Sequence, residues 1–120
     1  MIFHRFFMSD AINNANWRER VLYLLGRRTA FLVEGDSMLP TLSGGDKVLV
    51  DPRGYIAVGD VVMAQHPYKS EVKVVKRVAD IADDGRLTLR GDNPAESTDS
   101  RAFGTVSLES IIGKVTSKLK

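Results

Sequence analysis

The chain has 120 residues, with 17 lysines and arginines against 15 aspartates and glutamates, and it contains no cysteine. That length suits one domain able to bury a core without a covalent staple. The missing cysteines exclude disulfides, a thiol nucleophile and thiolate metal sites, and a net charge of +2 is too balanced for a dedicated nucleic-acid binder.

The first residues, Met1 to Met8, are apolar but broken by His4 and Arg5. No small-residue cleavage site follows them, so they do not read as a signal peptide. Ser9 or Asp10 is placed to cap a helix running to about Leu25. Ile12, Ala15, Val21, Leu22 and Leu25 fall near one face of that helix, and Arg18, Glu19 and Arg20 fall elsewhere. Two uses of the apolar face stay open: packing on the domain's own core, or an interface, which Trp17 and the four arginines Arg18, Arg20, Arg27 and Arg28 would suit. A membrane-crossing helix needs about 20 mainly apolar residues. The longest apolar run here is Val21 to Leu25, closed by Gly26, Arg27 and Arg28, so no crossing is expected. Residues 1–28 therefore read as a tail and helix, and residues 29–120 as the main domain.

From Thr29 onward, short β-rich runs separated by Gly, Asp and Pro predict a mainly antiparallel sheet or barrel. Gly44 to Pro52 and Val58 to Pro67 resemble each other, each a Gly-Asp turn followed by an apolar strand that ends at a proline. They are predicted to be neighbouring strands. Val72 to Ile81 and Arg86 to Arg90 flank Asp83, Asp84 and Gly85, a hairpin signal because glycine accepts the positive φ of tight turns. Leu87 and Leu89 should point inward. Ile111 to Ser117 is the predicted last strand, with Lys118 to Lys120 a frayed basic tail.

Glu34 to Leu42 reads EGDSMLPTL and sets one hydroxyl, Ser37, after turn-forming residues and just before Pro40. A serine in such a turn is usually only a turn residue. A second stretch changes its weight. Side chains alternate along Val72 to Val78, so Lys76 shares a face with Val72, Val74 and Val78. Burial disfavours the ammonium form. A free lysine titrates near about 10.4, and a downward shift of roughly three units would make it a base near neutrality. The competing reading is a lysine snorkelling from a strand edge. A hydroxyl nucleophile needs a base, and the two histidines offer little: His4 lies in the tail, and His66, just before Pro67, reads as a surface residue. No HExxH or paired-histidine spacing supports zinc. Serine plus lysine is the economical pair.

Three separate stretches now match, in order, the boxes of a known group. GDSMLPTL resembles the nucleophile box, Lys76-Arg77 the base box, and GDNPAESTDSRAFG, from Gly91 to Gly104, the last box of the serine/lysine peptidases of the type I signal peptidase clan. The resemblance runs from Val33 to about Val115. It implies a signal-peptidase-like antiparallel β-sheet or barrel, mainly β, carrying a short N-terminal amphipathic helix, with residues 29–120 as the peptidase domain. It also implies Ser37 as nucleophile, Lys76 as general base, and Ser97 as a hydroxyl that orients the lysine amine. The Ser37 backbone N–H would serve the oxyanion hole. Asp99 and Arg101 resemble a supporting ion pair, and Asp92 and Asn93 a supporting turn. No cofactor and no metal are implied. Asp36 departs from the pattern, because some members place a hydroxyl there; its carboxylate is expected to point away.

Within that clan, the HPY before the base strand and the GDNPAESTDSR after it most resemble the nickel-type superoxide dismutase maturation proteases. This resemblance, with the missing membrane span, implies a soluble cytoplasmic endopeptidase. Its expected partner is a precursor polypeptide, a nickel superoxide dismutase whose leader is removed so that the new N-terminus can ligate nickel. Self-cleaving repressors of related chemistry carry an Ala-Gly or Cys-Gly site before the serine, and neither dipeptide occurs here. The alternatives are signal-peptidase-like processing of secreted proteins at a membrane surface, and a non-catalytic β-module that binds partners. Neither nucleic acid nor membrane contact through the helix is expected.

Overall fold

A computed structural model describes residues 11–69, 71–93, 95 and 103–119. Its strands are β1 (Thr29–Leu32), β2 (Lys47–Asp51), β3 (Val61–Gln65), β4 (Lys73–Ile81), β5 (Leu87–Arg90) and β6 (Ile111–Leu119), with one helix before them, α1 (Trp17–Leu24). They form a single six-stranded sheet in the order β1-β2-β6-β3-β4-β5, and every neighbouring pair is antiparallel. The mainly β architecture expected from the sequence is therefore the one observed.

The run Val61 to Ala64 explains the centre of the sheet. Successive side chains of a strand point to opposite faces. Val61 and Met63 join one apolar cluster with Val33, Met38, Leu42, Val48, Val50 and Val115. Val62 and Ala64 join a second with Val78, Leu87, Leu89, Phe103 and Val106. A strand buried on both faces must be apolar at every position, which is why this segment shows no alternation.

The two similar segments do not pair with each other. Strand β6 lies between them, meeting β2 from Lys47↔Leu119 to Asp51↔Lys114 and β3 at Val62↔Lys114, Met63↔Gly113 and Ala64↔Ile111. Residues 52–60 form a connection long enough to leave that slot open. Gly113 is the tight point: a Cβ there would sit 2.5 Å from Val50 Cγ1 and 2.6 Å from the Asp51 carbonyl oxygen. The hairpin of β4 and β5 follows the prediction, with Gly85 at φ +88 and Leu87 and Leu89 fully buried.

Both chain ends differ from the sequence reading, for one shared reason. Instead of fraying, Lys118 and Leu119 belong to β6. The Lys118 N–H donates to the Asn13 carbonyl at 2.9 Å, and the Ala15 N–H donates to the Lys118 carbonyl at 2.7 Å. That pairing keeps residues 13–15 extended, so α1 begins only after them. Its cap is Asn16, whose Oδ1 accepts from the Glu19 N–H at 2.9 Å; Ser9 and Asp10 lie outside the described residues. The helix ends where Gly26 takes φ +77. There the Arg27 N–H reaches the Leu22 carbonyl at 2.8 Å and the Gly26 N–H the Tyr23 carbonyl at 3.1 Å, the hydrogen-bond pattern of a Schellman stop.

No residue of α1 is buried, so packing on the domain core is not what holds it. Glu19 does: it accepts from Ser117 Oγ at 2.9 Å, from Thr116 Oγ1 and from Arg28, whose Nη2 lies 3.1 Å away. Burial alone would raise the Glu19 carboxyl, but these hydrogen bonds and the Arg28 charge outweigh it and hold the group below its ordinary value of 4.5. Among the described residues, no helix is long and apolar enough to cross a membrane.

Candidate active site

Between β1 and β2 the chain makes the loop that carries Ser37. Its two ends cross at glycines. Gly35 has φ +77, and a Cβ on Gly44 would meet the Gly35 carbonyl oxygen at 3.0 Å. The neck is closed by the Val33 N–H donating to the Asp46 carbonyl and the Gly45 N–H to the Val33 carbonyl, both at 2.8 Å. Met38 and Leu42 are 1% exposed and plug the loop into the first apolar cluster. Ser37, next to Met38, is left half-buried, and Asp36 is exposed. The Leu39–Pro40 peptide within the loop is cis.

A polar clamp fixes this loop to β4 and to the segment after β5. Arg77 Nε donates to Asp92 Oδ1 at 2.9 Å and Arg77 Nη2 to Asp92 Oδ2 at 2.7 Å, the bidentate geometry that favours guanidinium over ammonium. Thr41 Oγ1 donates to the same Oδ2, and Arg77 Nη1 donates to the Gly59 carbonyl at 2.7 Å. Burial alone would raise the Asp92 carboxyl; the Arg77 and Thr41 hydrogen bonds and the Arg77 charge hold it below its ordinary value of 3.8. Asn93 grips the backbone at Ser37 and at the residue before it. Its N–H donates to the Ser37 carbonyl at 2.8 Å and its side-chain Nδ2 to the Asp36 carbonyl at 3.1 Å.

Lys76 stands on β4 opposite Val62, 3% exposed. It lies inward, as two-residue alternation along the strand requires. Ser37 and Lys76 line one cleft of about 600 Å³, whose mixed lining includes the apolar Phe31, Met38, Met63 and Val75 and the charged Glu34, Asp36 and Glu71. His66 also lines this cleft, rather than standing on the open surface as the sequence suggested. Its Nδ1 accepts from the Tyr68 N–H at 3.1 Å and the Lys69 N–H at 3.2 Å, and its ring packs edge-on against Phe103 at 5.1 Å between centroids. With Nδ1 committed to a turn, His66 shapes the cleft wall.

Ser97, Asp99 and Arg101 lie outside the described residues. Of the other expected residues, the structure brings Ser37 and Lys76 to one cleft and sets Asp92 and Asn93 directly behind the Ser37 loop. Sequence reasoning missed Thr41 and the role of Arg77. The available signal was strand alternation: a side chain adjacent to an inward Lys76 must face the other way, where a carboxylate is needed to pair it.

A family model described as Peptidase S24-like matches residues 4–116. Among the relatives, mitochondrial inner membrane protease subunit 1 of Schizosaccharomyces pombe is 36% identical over 111 residues, covering 73% of this chain and 71% of the relative. The mitochondrial ATP-independent inner membrane protease subunit 1a of Arabidopsis thaliana is 34% identical over 108 residues, covering 68% and 64%. Mitochondrial inner membrane protease subunit 2 of Danio rerio is 34% identical over 109 residues, covering 70% and 60%. These names overturn the cytoplasmic expectation, which rested on the resemblance to nickel superoxide dismutase maturation proteases together with the missing membrane span: the relatives are named as proteases of an inner membrane. They also differ from the nickel superoxide dismutase maturation proteases singled out by motif. A match from residue 4 to residue 116, laid over a sheet that turns its serine and lysine boxes toward one cleft, makes this chain a member of the Peptidase S24-like family.

Proposed function

We propose that the protein is an endopeptidase that uses Ser37 as nucleophile and Lys76 as general base to remove an N-terminal extension from a precursor polypeptide. The observation that carries this reading is the placement of a lysine, 3% exposed, in the same cleft as the serine of the turn. In its neutral form the Lys76 amine takes the Ser37 Oγ proton as that oxygen attacks the scissile carbonyl carbon. The Ser37 backbone N–H stabilises the resulting oxyanion. The carbon–nitrogen bond then breaks and the leaving amine takes the proton from Lys76; the neutral Lys76 amine next takes a proton from water as that water attacks the acyl-enzyme, and returns it to Ser37 Oγ as the ester bond breaks. Ser97 would hold the lysine amine in line, and Asp99 and Arg101 would support that segment.

Phe31 to Val33 line the cleft, and β1 is an edge of the sheet, so an extended precursor segment can pair there as an added strand. The relatives' names favour a precursor met at a membrane. The narrower substrate, a nickel superoxide dismutase precursor, rests on the HPY and GDNPAESTDSR stretches alone.

The test is intact-mass analysis of purified protein mixed with each kind of precursor. Ser37→Ala and Lys76→Ala should each lose at least about 10⁴-fold in rate while remaining folded, because both act in one step. Ser97→Ala should be slow but active. The rate of the parent should rise with pH through a group below the ordinary lysine range. Full cutting by Ser37→Ala, or a profile governed by a group near about pH 10, overturns the assignment.

A further inference from the structure

The face that α1 turns outward is the apolar one. Trp17, Val21, Leu24 and Leu25 are 77%, 43%, 83% and 69% exposed. The spacing of Trp17, Val21 and Leu24, i, i+4 and i+7, puts them along one side of a helix of 3.6 residues per turn, and Leu25, its C-cap, follows on that side. The anchoring carboxylate, Glu19, lies on the opposite side, where Thr116, Ser117 and Arg28 hold it. In an ordinary surface helix the stripe faces the core; here the polar residue is tied inward and the stripe is left to its surroundings.

We propose that α1 is a membrane-docking helix that lies in the plane of an anionic lipid surface, with Trp17, Val21, Leu24 and Leu25 in the acyl boundary. Charge selects this occupant. Glu19 is the only acidic residue between Asn16 and Thr29, and it is tied up in the inward cluster. The charges beside the exposed stripe are all cationic: helical spacing sets Arg18 and Arg20 on its two flanks, and Arg27, also exposed, follows at its end. Basic flanks around an aromatic and aliphatic stripe match anionic headgroups above an apolar layer, and tryptophan favours that boundary. This inference is carried by α1 alone and does not depend on the peptidase chemistry.

Trp17 is the only tryptophan, so its fluorescence reports on the helix directly. The 120-residue chain is mixed with phosphatidylcholine vesicles, and with vesicles containing about 30% phosphatidylglycerol to supply the anionic surface. The protein should sediment with the anionic vesicles only, less so at high salt, with a blue shift of Trp17 emission. Arg18→Glu and Arg27→Glu should each weaken binding at least about fivefold. Leu24→Glu combined with Leu25→Glu should abolish binding with an unchanged thermal melt, since both side chains are exposed. The proposal is overturned by equal or absent sedimentation with the two vesicle types, by unshifted Trp17 emission on anionic vesicles, or by binding that survives the double substitution. A blue-shifted Trp17 in lipid-free protein, accompanied by a concentration-dependent dimer, overturns it in favour of a second copy.

Discussion

Asp92 with Arg77 and Thr41, and Glu19 with Arg28, Thr116 and Ser117, are built from the same three groups: a carboxylate, a guanidinium and hydroxyls. Both carboxyls are held below their ordinary values although burial alone would raise them. The difference lies in what stands behind each cluster. The Asp92 clamp is backed by Met38 and Leu42, each 1% exposed, so the Ser37 loop is fixed by polar and apolar contacts together. The Glu19 cluster holds a helix with no buried residue. A polar clamp with apolar backing fixes an element in place; the same clamp without backing is a tether that leaves the apolar face available.

The sharpest way to break this contrast is to remove each carboxylate. Asp92→Ala leaves a guanidinium that is 14% exposed without its carboxylate, and should lower stability by about 2–3 kcal/mol. It should also reduce kcat, because the Thr41 hydroxyl loses its acceptor and the Ser37 loop loosens. Denaturant unfolding with peptide cleavage reads both effects. If kcat is unchanged, the clamp does not position Ser37.

Glu19→Ala should have a smaller global effect, about 1 kcal/mol, and little effect on cleavage of a short peptide. Its signature is local: Trp17 anisotropy should fall as α1 loses its tether. Global destabilisation equal to that of Asp92→Ala would erase the distinction between clamp and tether.

The smallest effect is on the acid side. Both folded pKa values are depressed, so each carboxylate contributes stability that is present above its unfolded value, ordinarily 3.8 for Asp92 and 4.5 for Glu19. That contribution is lost as pH falls through the lower folded value. Asp92→Asn should therefore flatten the fall in thermal-melt temperature below about pH 4, and Glu19→Gln should do so starting slightly higher. An acid limb unchanged in both variants would show that neither pair is linked to folding.

What was legible in the sequence was what depends on short spacing. Two-residue alternation turned Lys76 inward and placed Leu87 and Leu89 in the core, and a single glycine at Gly85 marked the hairpin; the serine/lysine peptidase reading came instead from the resemblance of three boxes, in order, to a known family. What tertiary structure alone decided was which distant residues meet. Thr41 and Asp92 are 51 residues apart, Glu19 and Ser117 are 98 apart, and β6 enters between two segments that look like natural neighbours. The helix shows the physical reason most plainly. Of the apolar face read from periodicity, only Val21 and Leu25 belong to the exposed stripe, because Ile12 and Ala15 lie before the helix, and periodicity is in any case the same whether a stripe faces core or surroundings. Only the bonds from Glu19 to β6 and Arg28, made by the side opposite the stripe, determine that it faces out.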